Sequence, residues 1–128
     1  MQEIDPADCP FCKVPDDEIV ASNMRCYARW DKFPVSEGHI LIISFRHFAD
    51  YFEANGEEVT ALWQLIHELK PMLDRRFSPA GYNVGVNVGA AAGQSVPHLH
   101  VHMIPRYQND VTDPYGGIRG VVVQKTVL

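Results

Sequence analysis

A single domain of mixed α and β structure is what this sequence predicts, with an antiparallel strand pair first, one long helix next and further strands after it. Three observations carry that expectation. Strand-suited runs at 24–30 (MRCYARW) and 39–45 (HILIISF) flank the turn-forming stretch from Phe33 to Gly38. Apolar residues then recur at three- and four-residue steps beyond Asn55, and period-two alternation returns at Gly81–Val88 and His98–Pro105. With 128 residues and 46% hydrophobic content, the chain is long enough to bury one core and too short for two, so residues 1–128 are taken as one domain.

The first two runs read as an antiparallel pair. Asn55-Gly56-Glu57-Glu58 reads as a helix start, with Asn55 as cap and Glu58 reaching back to it. Val59, Leu62, Trp63, Ile66, Leu69 and Leu73 mark the buried face, leaving Glu57, Glu58, Gln64, Glu68 and Asp74 more exposed. Pro71 lacks an amide hydrogen and should kink or tighten the helix near His67 before it ends by Ser78-Pro79. Gly81–Val88 alternates as a strand, and Gly89–Gly93 is a small-residue loop that lets backbone approach a ligand. Beyond Arg106 lie a turn rich in Gly, Pro and Asp and a last apolar run, Val121-Val122-Val123, whose place in the sheet the sequence leaves open.

Composition narrows the function. A net charge of −5 with no basic cluster longer than Arg75-Arg76 offers no footprint for a polynucleotide backbone, so any nucleotide partner is expected to be small. No segment approaches the ~18 consecutive apolar residues that span a bilayer, and the acidic, polar start MQEIDPADCP is unlike a secretory signal. A cytoplasmic protein without a membrane partner is expected. The three cysteines are too few and odd in number for a disulfide framework; Cys9 and Cys12 form a C-x-x-C pair and Cys26 reads as a core thiol.

In a strand, His98, His100 and His102 share one face while Leu99, Val101 and Met103 share the other. Neighbouring imidazoles on that face stand ~6.6–7 Å apart, too far for all three to ligate one ion at bonds of about 2 Å, so separate roles are expected. A lone histidine is ordinarily a solvated or satisfied residue. Three at period two, beside Gly93-Gln94-Ser95, instead form an active-site edge.

The run Gly93-Gln94-Ser95-Val96-Pro97-His98-Leu99-His100-Val101-His102-Met103-Ile104-Pro105-Arg106 closely resembles the signature of the histidine triad (HIT) family, His-φ-His-φ-His-φ-φ with φ apolar. Pro34–Ile42 resembles the family's first hairpin and Asn83–Asn87 the strand before the triad, so the likeness covers nearly the whole chain. It implies an α+β, HIT-like fold: an antiparallel sheet with one long helix, in a homodimer whose sheets join.

The resemblance makes His100 the nucleophile that attacks a nucleotide α-phosphate, forming a nucleotidyl-histidine that water then cleaves. His100 then needs one ring nitrogen free and the other fixed by a hydrogen bond, expected to a backbone carbonyl. His102 would hold phosphate oxygens, with Gln94, Ser95 and amides of the Gly93 loop binding non-bridging or leaving-group oxygens. Asp31 stands where family members hold the ribose, although it also suits the start of a turn. Asn87 matches a position at the phosphate or leaving group, and equally suits a turn beside Gly89.

Cys9-x-x-Cys12 alone is a weak signal, compatible with a redox pair or two buried thiols; no βαβ pattern surrounds it to support thioredoxin-like use. In a zinc-bearing branch of the family, the matching ligands would be Cys9, Cys12, His47 and His98, a closed structural Cys₂His₂ set. Residues 1–15 then form a metal-binding segment and 106–128 a C-terminal tail. His39 and His67 read as ordinary surface or packing histidines, with His39 at most at the pocket edge. The family implies two substrate classes, dinucleoside polyphosphates and nucleoside phosphoramidates. The tail, with Arg106-Tyr107-x-x-Asp110 and Asp113–Arg119, resembles bacterial members of the polyphosphate class, and Arg106 and Arg119 could meet a polyphosphate's charge. The alternative function is a nucleotide-binding regulator with little turnover.

Overall fold

Strand-suited runs close into one antiparallel sheet. The computed structural model describes residues 3–122, and its sheet contains β1 (Ala21–Ser22), β2 (Cys26–Trp30), β3 (Ile40–Ser44), β4 (Gly81–Gly85) and β5 (His100–Arg106) in the spatial order β1-β2-β3-β5-β4. Every neighbouring pair is antiparallel. One 22-residue helix, α1 (Gly56–Phe77), packs on one face, which makes the fold α+β as expected.

The strand pair of the sequence analysis is β2 and β3, trimmed at its ends. Asn23 Oδ1 accepts the amides of Arg25 and Cys26 and turns the chain there, so the strand begins at Cys26. β1, on the outer side of β2, was not anticipated, because two residues carry no periodicity to read. Gly38 closes the β2–β3 connection at φ +87°, and a Cβ there would stand 2.8 Å from the Phe77 ring and 3.1 Å from Pro105.

Asn55 caps α1 in a reciprocal capping box with Glu58, as the sequence indicates. Two helix assignments are corrected. Glu58, expected to be exposed, is buried because Arg46 clamps its carboxylate at 2.7 and 3.0 Å. Trp63, expected in the core, lies on the surface side, and Ala61 and Leu65 join Leu62, Ile66, Leu69 and Leu73 on the buried face. The helix continues unbroken through Pro71, which is exposed along with His67, so water can satisfy the carbonyl that loses its partner. No helix among the described residues is long and apolar enough to cross a membrane.

The two faces of the sheet differ. Cys26, Ala28, Ile40, Ile42, Leu99, Val101 and Met103 meet the helix in the main core, confirming Cys26 as a core thiol. Tyr27, Leu41 and Ile43 point the other way and are covered by Phe11, Val14 and Ile19 of the N-terminal segment. The strand expected through Val88 ends at Gly85; Val86, Asn87 and Val88 leave β5 and line a cleft with Ile118, Val121 and Val122 from the tail. Val123 and the rest of the tail lie outside the described residues.

Candidate active site and metal centre

Register places the histidines. His100 lies opposite Ile43 and His102 opposite Leu41, and directly opposed residues share a face, so both rings stand on the face away from the helix. His98 precedes β5, in a bend, where Leu99 donates its amide to Phe48 O.

His100 is buried, with its ring edge-on to Phe11 at 5.0 Å and to His102 at 5.1 Å. Its Nδ1 lies 2.8 Å from the carbonyl oxygen of His98. A carbonyl only accepts, so the proton sits on Nδ1 and the lone pair on Nε2. Burial pushes the His100 pKa below its ordinary value, which keeps the ring neutral and nucleophilic at neutral pH.

His102 lines the cleft, which has a volume of 930 Å³, together with His39 and Asn87. His39, taken from the sequence as a bystander, is buried and reaches His102 Nδ1 with its Nε2 at 3.0 Å. Asp31 Oδ2 lies 3.3 Å from the same His39 nitrogen, while Asp31 Oδ1 accepts the Phe33 amide at 2.8 Å. Asp31 therefore starts the turn with one oxygen and faces the histidines with the other. Parity was the available signal for His39: in a strand over 39–45 it shares a face with Leu41 and Ile43, but the sequence does not say which face meets His102.

Burial, then the neighbouring His100 and His39 rings, pulls His102 down to about 4. A folded value below the ordinary 6.5 means that the unfolded chain takes up the proton first as pH falls. The stability associated with this neutral ring is present above about pH 6.5 and lost towards pH 4. We expect calorimetry to show Tm several degrees lower at about pH 5 than at about pH 7.5. A Tm unchanged over that interval would contradict neutral burial.

The four expected metal ligands converge. Cys9 Sγ, Cys12 Sγ, His47 Nδ1 and His98 Nδ1 lie within 4.8 Å of one another, with Cys12 3.1 Å from His47 and 3.5 Å from His98. Tetrahedral zinc with bonds of about 2.0–2.3 Å puts its ligand atoms about 3.3–3.8 Å apart. The hydrogen bonds provide a stricter test. His98 Nε2 donates to Ser44 O at 2.7 Å and His47 Nε2 donates to Ile4 O at 2.8 Å, so each Nδ1 carries a lone pair. Those lone pairs face each other across 3.1 Å, a repulsive arrangement that a shared cation relieves. Burial and the adjacent Cys9 thiol push Cys12 up to about 11, so that thiol is poorly suited to thiolate redox chemistry without a cation.

The glycine-bearing loop is positioned differently from its expected ligands. Gln94 is buried and its side-chain hydrogen bonds go to backbone: its Oε1 accepts the Gly89 amide at 2.9 Å, and its Nε2 donates to Ala49 O and Val96 O. Its side chain fixes the loop. Ser95 is exposed, and Gly93, at φ +93°, lines the cleft with Asn87. Arg106 is held by both oxygens of Asp110 at 2.8 Å and by Asn83 at 2.7 Å, so its charge is already engaged.

A five-stranded antiparallel sheet with one long helix, displaying a buried, tautomer-fixed histidine between a cleft and a Cys₂His₂ cluster, defines the class. Residues 13–109 match the HIT domain, and the chain belongs to that family. Among its relatives, a 16.1 kDa HIT-like protein of Mycoplasma pneumoniae is 37% identical over 79% of this chain and 73% of its own length. The asymmetrical bis(5'-nucleosyl)-tetraphosphatase of Schizosaccharomyces pombe is 34% identical over 62% of this chain, which spans 44% of that enzyme. A solved structure of a HIT family member from Bacillus subtilis matches with TM-score 0.73 and 32% identity, covering 80% of this chain and 75% of its own.

Proposed function

We propose that this protein is a nucleotide hydrolase or transferase that breaks the bond between a nucleotide α-phosphate and its leaving group in two displacements at His100. In the first, the Nε2 lone pair attacks phosphorus, a P–N bond forms, and the P–O bond breaks with its electron pair leaving on the departing group. In the second, water attacks phosphorus, the P–N electrons return to Nε2, and the proton of the attacking water passes to solvent. The observation that carries this reading is the hydrogen bond from His100 Nδ1 to His98 O, which fixes the tautomer and leaves the Nε2 lone pair for attack.

His102 and Asn87, which line the cleft, are proposed to contact phosphate oxygens, and Asp31 to accept from the ribose. Ser95 is proposed to add a further donor, while Gln94 acts by positioning its loop; the loop amides expected to bind oxygens are engaged within it, since those of Ala92, Gly93 and Gln94 donate to loop carbonyls and that of Gly89 to Gln94. Cys9, Cys12, His47 and His98 are proposed to hold a structural zinc ion, which ties the N-terminal segment, 1–15, to the active strand. The unpaired thiols suit a reducing, cytoplasmic setting. A homodimer is proposed as well: among the described residues β4 has an open edge, and the apolar Ile118, Val121 and Val122 lie beside it.

A dinucleoside polyphosphate is the proposed substrate, in keeping with the named activity of the fission-yeast relative. The test is parallel incubation with diadenosine tetraphosphate and an adenosine phosphoramidate, with products identified. We expect AMP and ATP from the first. AMP from the phosphoramidate alone would reassign the substrate class, and tight binding with no product from either would favour the regulator.

A further inference from the structure

We propose that His39 is a positioning residue that fixes the tautomer of His102, through a relay of hydrogen bonds running from the Val35 amide to His39 and on to His102. The proposal deepens the hydrolase reading and rests on it for its catalytic consequence.

The relay follows from hydrogen-bond bookkeeping. The Val35 backbone N–H donates to His39 Nδ1 at 3.1 Å. An amide nitrogen cannot accept, so Nδ1 carries the lone pair, and a neutral His39 must hold its proton on Nε2. That Nε2–H faces His102 Nδ1 at 3.0 Å, with Asp31 Oδ2 at 3.3 Å as a second acceptor. A proton on His102 Nδ1 would collide with it, so His102 is protonated on Nε2. His102 thereby presents an N–H donor, rather than a lone pair, from a ring that lines the cleft.

The positions of these protons exclude the competing use of these residues. Asp31, His39 and His102 lie close enough to resemble a second metal site. His39 has no lone pair to offer on Nε2, the only one of its nitrogens that faces the other two residues. The four-residue cluster shows the opposite pattern, with both Nε2 atoms donating outward and both Nδ1 lone pairs turned inward. Two histidine groups on one sheet face are thus built for different purposes, one to accept a cation and one to transmit a proton position. Burial lowers the pKa of His39 and of His102, which agrees with two neutral rings.

A phosphoryl transfer develops charge on phosphate oxygens and on the leaving oxygen, and a fixed donor stabilises it where a lone pair would repel it. The value of His39 is therefore expected in kcat more than in KM.

The experiment is long-range ¹H–¹⁵N NMR of the histidine rings in the full chain, with kinetics on diadenosine tetraphosphate. In the unmodified protein, His102 should show a protonated Nε2 and a bare Nδ1; the reverse tautomer would overturn the proposal without any variant. His39→Leu should give a mixed His102 tautomer and lower kcat by about ten- to a hundredfold with KM changed by less than about threefold. His39→Gln, whose amide N–H can take the place of Nε2–H, should restore the tautomer and most of kcat. A His102 signal unmoved in His39→Leu, or kcat within about twofold of the parent, would overturn the relay. If the parent itself releases no product, the hydrolase reading fails, and the NMR result still decides the relay.

Discussion

Replacing His100 with alanine is expected to abolish turnover, lowering kcat by about a thousandfold or more while nucleotide affinity changes only a few-fold. The size of the effect follows from the position of the residue. His100 alone in the triad combines a ring nitrogen fixed to a backbone carbonyl, a free second nitrogen and a neutral state enforced by burial. His98 spends one nitrogen on Ser44 O and turns the other into the cysteine cluster, and His102 has its Nδ1 occupied by His39. Neither offers a comparable free nitrogen in its place. Because alanine leaves a void beneath Phe11, His100→Gln serves as a fuller-volume companion, and circular dichroism of both variants separates lost chemistry from lost folding. Activity within tenfold of the parent in both variants would remove His100 from the mechanism.

Stripping the zinc ion proposed for the Cys9, Cys12, His47 and His98 cluster is expected to have the second largest effect. With a chelator, or in Cys12→Ser, Tm should fall by about 10 °C or more, since structural zinc sites contribute folding free energy directly. The loss should start at the N-terminus. Phe11 lies between the two cysteines, accepts the Tyr27 hydroxyl at its carbonyl and covers Leu41, Ile43 and the His100 ring. Releasing Cys9 and Cys12 frees that cover, so amide exchange should accelerate first across residues 4–14 and then at β5. Elemental analysis should find zinc near one equivalent per chain in the untreated protein. A chelated protein with the same Tm and the same exchange pattern would show that the cluster is held by its hydrogen bonds alone.

Most of the fold was legible because its signals are local. The Asn55–Glu58 capping box, the helical spacing and the alternation through His98–Met103 each declare themselves within a few residues. What escaped depends on pairs distant in the chain. Glu58 is an acidic residue on a helix and reads as solvated until Arg46 arrives from another segment to bury it. β1 exists only through its pairing with β2. The same holds at the site. His100, His102 and the four cluster residues were singled out through motif and resemblance, whereas His39 looked incidental because its partner His102 reaches it only when β3 and β5 pair in their observed register. Gln94 was expected to bind phosphate or leaving-group oxygens, but its neighbours turn its amide towards backbone instead of the cleft. Arg106 is the local exception: its partner Asp110 stands four residues on, and only the folded turn shows that the two close on each other.

The central claim, two displacements at phosphorus through His100, is tested most directly by stereochemistry. An α-phosphorothioate dinucleotide of known configuration, made chiral at phosphorus, is cleaved in isotopically labelled water and the configuration of the product is determined. Two successive in-line displacements each invert the centre, so overall retention is expected, with the product absent in His100→Ala. Overall inversion would mean that water attacks phosphorus directly and that His100 never bonds to the nucleotide.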